Sequence, residues 1–225
     1  EVHDRVRSVV GPVSSLPLMA AVAWYHGRGC KQASSWCEAI DQAREFAYGP
    51  YLTALYQGSR LSAERRREMA ERLASFTGLS AELWERNRLN ISKDRFRSLL
   101  LEDEGKVLGV YDARYTAPSM PNGAVDPSDL RVGPILSACS RQFYCDRLGV
   151  KRAAVRVESP GDVWSVWDWE YDGPSDSVPD GAKKSPFDEF DYAGALEYCL
   201  KQIDDCRLFV ANGCYDTITT VGASD

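Results

Sequence analysis

Asn212-Gly213-Cys214-Tyr215-Asp216 sets a carboxylate in a tight turn at the end of the run Arg207-Leu208-Phe209-Val210-Ala211. A short apolar run of this kind reads as a strand buried on both faces, and the residues before it, about Gly194 to Asp205, read as a helix. A helix, a buried strand and an acid just past the strand form an α/β unit, and such sheets place their chemistry beyond the strand's C-terminal end. Asp216 is therefore the leading catalytic candidate. The competing role for a turn aspartate is structural, capping the backbone that follows it.

The other chemistry-bearing residues point less far. Asp168, Glu170 and Asp172 alternate at i,i+2, which puts them on one face of a strand, but no histidine lies near them and surface solvation accounts for them. Seven cysteines, at 30, 37, 139, 145, 199, 206 and 214, include no Cys-x-x-Cys pair, and the two histidines, His3 and His26, are not spaced as a zinc box. No metal and no cofactor is expected. An odd count leaves at least one thiol unpaired; buried, reduced cysteines are the simplest reading, with one or two disulfides the alternative. Asn90-Ile91-Ser92 fits the glycosylation sequon, a pattern too short to place the chain outside the cell.

Composition narrows the class. The chain has 225 residues, 27 Lys+Arg against 33 Asp+Glu, and a net charge of −6. That balance argues against phosphate-backbone binding, which needs a clustered positive field. The longest apolar stretch, Leu18 to Tyr25, is too short to span a bilayer, which takes about 20 residues. Glu1-Val2-His3-Asp4-Arg5 puts charges where a signal peptide has its apolar core, so no leader is expected in this chain.

The elements that must position Asp216 are mainly helices. Ser14 and Ser15 precede Leu16-Pro17, predicting a hydroxyl cap and a first-turn proline for a helix reaching Gly27 that is apolar all round and so buried. A second helix is expected over Ser34 to Tyr56, with Trp36, Ile40, Ala43, Phe46 and Ala47 inward and Gly49-Pro50 as its break. Ser62 to Phe76 is the clearest amphipathic stretch, with Met69, Leu73 and Phe76 on one stripe, Ser62 as cap and Gly78 as stop. Its outer face offers Glu64–Arg67 and Glu68–Arg72 pairs, so Arg65-Arg66-Arg67 reads as a solvated face. Helices follow at Ser80 to Asn87 and Ser92 to Leu101, each opened by serine. Short strands are expected around 106–116 and 150–170 and near 207–211, a loop over Ala117 to Asp129, and a helix over Leu130 to Leu148. Residues 157–191 are acidic and rich in tryptophan (Trp164, Trp167, Trp169), the composition of a small core or of a sugar or cation platform.

Several of these segments, taken in order, resemble the bacterial branch of the serine carboxypeptidases, which have the α/β-hydrolase fold. Ser14-Ser15-Leu16-Pro17 and Ala23-Trp24-Tyr25-His26-Gly27 are similar to the start of that family's cap. Phe96-Arg97-Ser98-Leu99-Leu100 and Gly109 to Thr116 are similar to segments inside the cap. Leu208 to Thr220 resembles the strand and loop that carry the triad aspartate. The matches span about residues 14 to 220. One position departs: Thr220 stands where the family usually has proline.

The resemblance implies a mainly α chain with short β segments: the helical cap of an α/β-hydrolase over residues 1–205, and one core strand with its acid loop over 206–225. It maps Asp216 onto the triad acid, which holds the catalytic imidazole in the right tautomer and stabilises its cation. In this fold the triad runs Ser, Asp, His, with serine in a Gly-x-Ser-x-Gly elbow. The sequence contains no such elbow, no histidine follows Asp216, and His26 matches a cap position. The expectation is therefore a partial serine carboxypeptidase-like hydrolase, whose parent cleaves C-terminal residues from peptides. This chain supplies the cap and the acid and is inactive alone. The family also includes acyltransferases, and its members imply an extracytoplasmic setting. The alternative is a non-catalytic helical binding module using the tryptophan-rich acidic surface. Peptide substrate is the expected partner of the parent, nucleic acid and membrane are not, and the 207–211 strand, lacking its sheet, is expected to drive self-association.

Overall fold

A computed structural model describes residues 9–120, 126–151 and 192–224. The described residues are mainly helical with one two-stranded sheet, as expected. They group in two units: residues up to 135 together with 212 onward, and residues 136–211.

In the first unit, α1 (Val10–Tyr25) is the hub. Residues 11 to 23 are all buried, in keeping with a helix that is apolar on every face. Its start lies earlier than the serines suggest. Ser14 is inside the helix, donating to the Gly11 carbonyl at 3.1 Å, and Pro12 rather than Pro17 occupies the first turn. Pro12 explains the shift, because a proline there lacks only a donor that has no partner anyway.

Against α1 pack α2 (Trp36–Phe46) and α4 (Ala63–Thr77). Ser35 caps α2 by accepting from Glu38 N, and Ala39, Ile40, Ala43 and Phe46 face inward, whereas Trp36 is exposed. The predicted break at Gly49-Pro50 is a π-helical turn, Ala47–Tyr51, leading directly into α3 (Leu52–Gln57). A proline has no N–H for the helical ladder, and widening the turn absorbs that loss without ending the helix. Tyr51, fully buried in this turn, donates its hydroxyl to the Leu89 carbonyl at 2.6 Å.

Helix α4 matches its reading closely: Ser62 caps it, Gly78 closes it at φ 72°, and Met69, Leu73 and Phe76 are buried. Ser62→Ala is expected to remove about 1 kcal/mol of stability, read as a lower urea midpoint at unchanged slope. The charge pairs differ from those expected. Glu68 pairs with Arg65 at 2.6 Å, and Arg72 instead lies over the rings of Phe46 (5.0 Å) and Phe76 (5.8 Å). A guanidinium stacks on aromatic faces at little desolvation cost, and two rings outcompete one solvated carboxylate.

Helices α5 (Ala81–Arg86) and α6 (Lys93–Leu99) are capped by Ser80 and Ser92 as predicted. Next, β1 (Lys106–Leu108) and β2 (Thr116–Pro118) pair antiparallel with Val107 opposite Ala117. Asp126 opens α7 (Pro127–Gln142) and also accepts from Val110 N at 2.7 Å, tying the helix start to the strand's exit. A π-helical turn, Phe143–Arg147, ends that helical stretch.

The second unit contains most of α7 and α8 (Tyr192–Gln202), which falls where a helix was expected. The strand expected over 207–211 does not form. Leu208, Phe209 and Val210 are 51%, 87% and 58% exposed. A buried strand needs neighbours on both edges, and among the described residues the only sheet is β1–β2. The tryptophan-rich stretch, Asp168, Glu170, Asp172 and the strands expected over 150–170 lie outside the described residues. Among the described residues no helix is long and apolar enough to cross a membrane.

Candidate functional site

Asp216 sits in a loop built to hold its carboxylate. The turn closes through Asp216 N donating to the Gly213 carbonyl at 3.2 Å, and a Cβ at Gly213 would lie 3.3 Å from that of Asp216. Oδ1 accepts from the backbone N–H of Ile218 (2.8 Å) and Thr219 (3.3 Å), and Oδ2 accepts from the Thr219 hydroxyl (2.6 Å). A carboxylate offers about four acceptor positions. Three are filled from within the loop, which leaves one for a donor arriving from outside.

The loop is fastened to the helical unit on both sides of Asp216. Upstream, the Tyr215 carbonyl accepts from Ala113 N at 2.9 Å. Downstream, Thr217, 1% exposed, gives both its N–H (2.9 Å) and its hydroxyl (2.6 Å) to the Val110 carbonyl. Two cations on one face of α6 complete the hold: Arg97 donates to Thr217 Oγ1 at 3.3 Å, and Lys93 Nζ donates to the Ile218 carbonyl at 2.6 Å. Neither was singled out from the sequence. Their i,i+4 spacing was the available signal, since it places both side chains on one helix face.

The segment past the loop is equally fixed. Gly222 lies against α1 so closely that a Cβ would fall 2.4 Å from the Ser14 carbonyl oxygen, and Tyr48 donates its hydroxyl to the Gly222 carbonyl. Thr220 is 2% exposed with φ −70°, a value that proline also adopts.

Beside the acid loop, the Tyr215 ring meets Tyr25 edge-on at 5.7 Å between centroids and lies under Arg114, whose Cζ is 4.8 Å from the ring centre. Arg114 also grips Asp112 through two nitrogens, at 3.0 and 2.7 Å. Burial pushes the Asp112 carboxyl up, but hydrogen bonds from Arg114 outweigh it and hold the group below its ordinary value. Burial raises the Tyr215 hydroxyl, with Arg114 opposing. His26 is bonded elsewhere: its Nε2 lies 2.8 Å from the Ala113 carbonyl oxygen.

This arrangement can orient a donor; it does not assemble a nucleophile with a base. Among the described residues no group of three or more His, Cys, Asp or Glu side chains could hold a metal ion. A cleft of about 840 Å³ is lined by Arg28, Lys31, Phe46, Arg72 and Phe76 among others, and Asp216 is not on its wall. Comparison with protein-family models, with curated proteins and with solved structures gives no match for the chain.

Proposed function

We propose that this chain is the cap and acid loop of a serine carboxypeptidase-like hydrolase, with Asp216 as the triad acid and the serine elbow and histidine supplied from outside residues 1–225. The observation that carries the reading is the docking of the acid loop. Segments that resemble the family meet at it or beside it: Tyr25 against Tyr215, Arg97 and Val110 on Thr217, and His26 on Ala113, while Gly222, just past the loop, lies against Ser14. Segments about 200 residues apart in the chain thus make one structure around a carboxylate with one acceptor position left. In this reading the helices roof the reacting bond and exclude water, while Asp216 orients the imidazole.

The test compares this chain with a version extended at both ends by its native flanking sequence, using a fluorophosphonate serine probe and a blocked dipeptide. Labelling and hydrolysis by the extended protein alone support the proposal. Labelling of residues 1–225 alone, or no reaction by the extended protein, overturns it.

The exposed run Leu208 to Val210 gives an independent expectation. An exposed apolar segment outside any sheet is a template for another edge. Residues 1–225 are expected to self-associate in sedimentation velocity, and Phe209→Asp to return them to monomer. Concentration-independent monomer in the unsubstituted chain would show that the segment has no need of a partner strand.

A further inference from the structure

The cleft of about 840 Å³ belongs to the unit that holds Asp216, but no residue of the acid loop is on its wall. Its volume lies within the roughly 300–1,000 Å³ of small-molecule sites. Three segments line it: the connection from α1 to α2, the end of α2 with the π-helical turn after it, and the last turns of α4. Two of these are joined backbone to backbone. A Cβ at Gly29 would fall 2.4 Å from the Phe76 carbonyl oxygen, one at Gly78 would fall 2.6 Å from the Arg28 carbonyl oxygen, and Cys30 N donates to the Ser75 carbonyl at 2.9 Å.

The charged residues on the wall are Arg28, Lys31, Glu45 and Arg72, and they are not equivalent. Arg28 is spent: it donates to Asp103 at 2.8 and 3.0 Å and to Glu104 at 2.6 Å, and Lys106 on Glu104 at 2.7 Å brings that cluster to neutrality. Among the described residues Lys31, Glu45 and Arg72 form no ion pair, and Arg72 is held instead over the rings of Phe46 and Phe76, 5.0 and 5.8 Å from their centres. Stacking occupies a face of the guanidinium and leaves its in-plane N–H edges as donors. It also fixes a long side chain, so less rotamer freedom is lost when an acceptor docks.

We propose that this cleft binds a small molecule through a carboxylate, with Arg72 gripping the carboxylate by two N–H groups and Lys31 adding a second positive charge. A guanidinium fork matches a carboxylate in geometry as well as in charge. Glu45 sets the valence of the ligand. Lys31 and Arg72 against Glu45 leave one net positive charge, which suits a monoanion, whereas a phosphate dianion would bring uncompensated charge up to Glu45. Both cations are exposed, so binding weakens as salt rises. This inference stands on the cleft and does not depend on the hydrolase reading.

The experiment is ligand-observed saturation-transfer NMR on residues 1–225 at low salt and about pH 8, where phosphate is a dianion. N-acetylglycine serves as the carboxylate, N-acetylglycinamide as its uncharged analogue, and inorganic phosphate as competitor. Saturable transfer to N-acetylglycine but not to the amide is expected, with phosphate a poor competitor. Arg72→Gln is expected to weaken binding by about tenfold or more, and Lys31→Gln to weaken it less. Glu45→Gln is expected to tighten it and to let phosphate compete, a gain that a misfolded variant does not give. Arg65→Gln, the same charge change on the outer face of α4, is expected to leave binding unchanged. No transfer to N-acetylglycine, equal transfer to the amide, displacement by an equal concentration of phosphate, or equal weakening by Arg65→Gln would overturn the site.

Discussion

If the proposed reading holds, Asp216→Asn in the extended protein is expected to lower kcat by about 10⁴-fold, the loss that follows when a triad histidine is held in the wrong tautomer. The substitution is chosen because the loop tolerates it. Asparagine keeps an oxygen for the Ile218 and Thr219 N–H groups, and its amide can donate to the Thr219 hydroxyl in place of accepting from it. Thermal stability of residues 1–225 should therefore change little while turnover collapses. Steady-state kinetics on the blocked dipeptide, paired with a melting curve, separates the two effects. A kcat loss below about tenfold with an intact fold would remove Asp216 from the triad and leave it as a turn cap.

Trp84→Ala destabilises the helical unit by about 3–5 kcal/mol, a large share of the roughly 5–15 kcal/mol typical of a domain. Trp84 is 1% exposed on α5 and donates its indole N–H to Thr77 Oγ1 at 3.0 Å, while the Thr77 hydroxyl donates to the Leu73 carbonyl at 2.7 Å. Truncation thus opens a cavity between α4 and α5 and strips a donor from a buried hydroxyl at the same point. Urea unfolding followed by far-UV circular dichroism measures the loss. Trp84→Phe keeps most of the volume and isolates the hydrogen bond, and is expected to cost about 1–3 kcal/mol. A loss under about 1 kcal/mol for Trp84→Ala would mean that the α4–α5 contact contributes little.

Local architecture could be read directly from the residues wherever one short-range force dominates. Ser62, Ser80 and Ser92 each cap a helix because a hydroxyl at that position meets a backbone N–H three residues on, a matter of local geometry. The stripe Met69, Leu73, Phe76 follows from helical period alone, and an apolar α1 has to be buried. Local signals misled where two residues of one kind compete, as with Pro12 and Pro17, since either suits the first turn of a helix. They also misled for Arg72, whose aromatic partner Phe46 lies on a different helix.

Asp216 was legible as a candidate because turn chemistry is written in adjacent residues. What fastens its loop was not. The bonds from Ala113, Arg97 and Lys93 to its loop join positions more than 100 residues apart, and no periodicity encodes such distances. The fate of Leu208 to Val210 was decided in the same way. Their apolar pattern specifies that they favour a strand's surroundings, but a strand exists only where neighbouring edges accept its backbone hydrogen bonds, which is a property of tertiary structure and not of the segment.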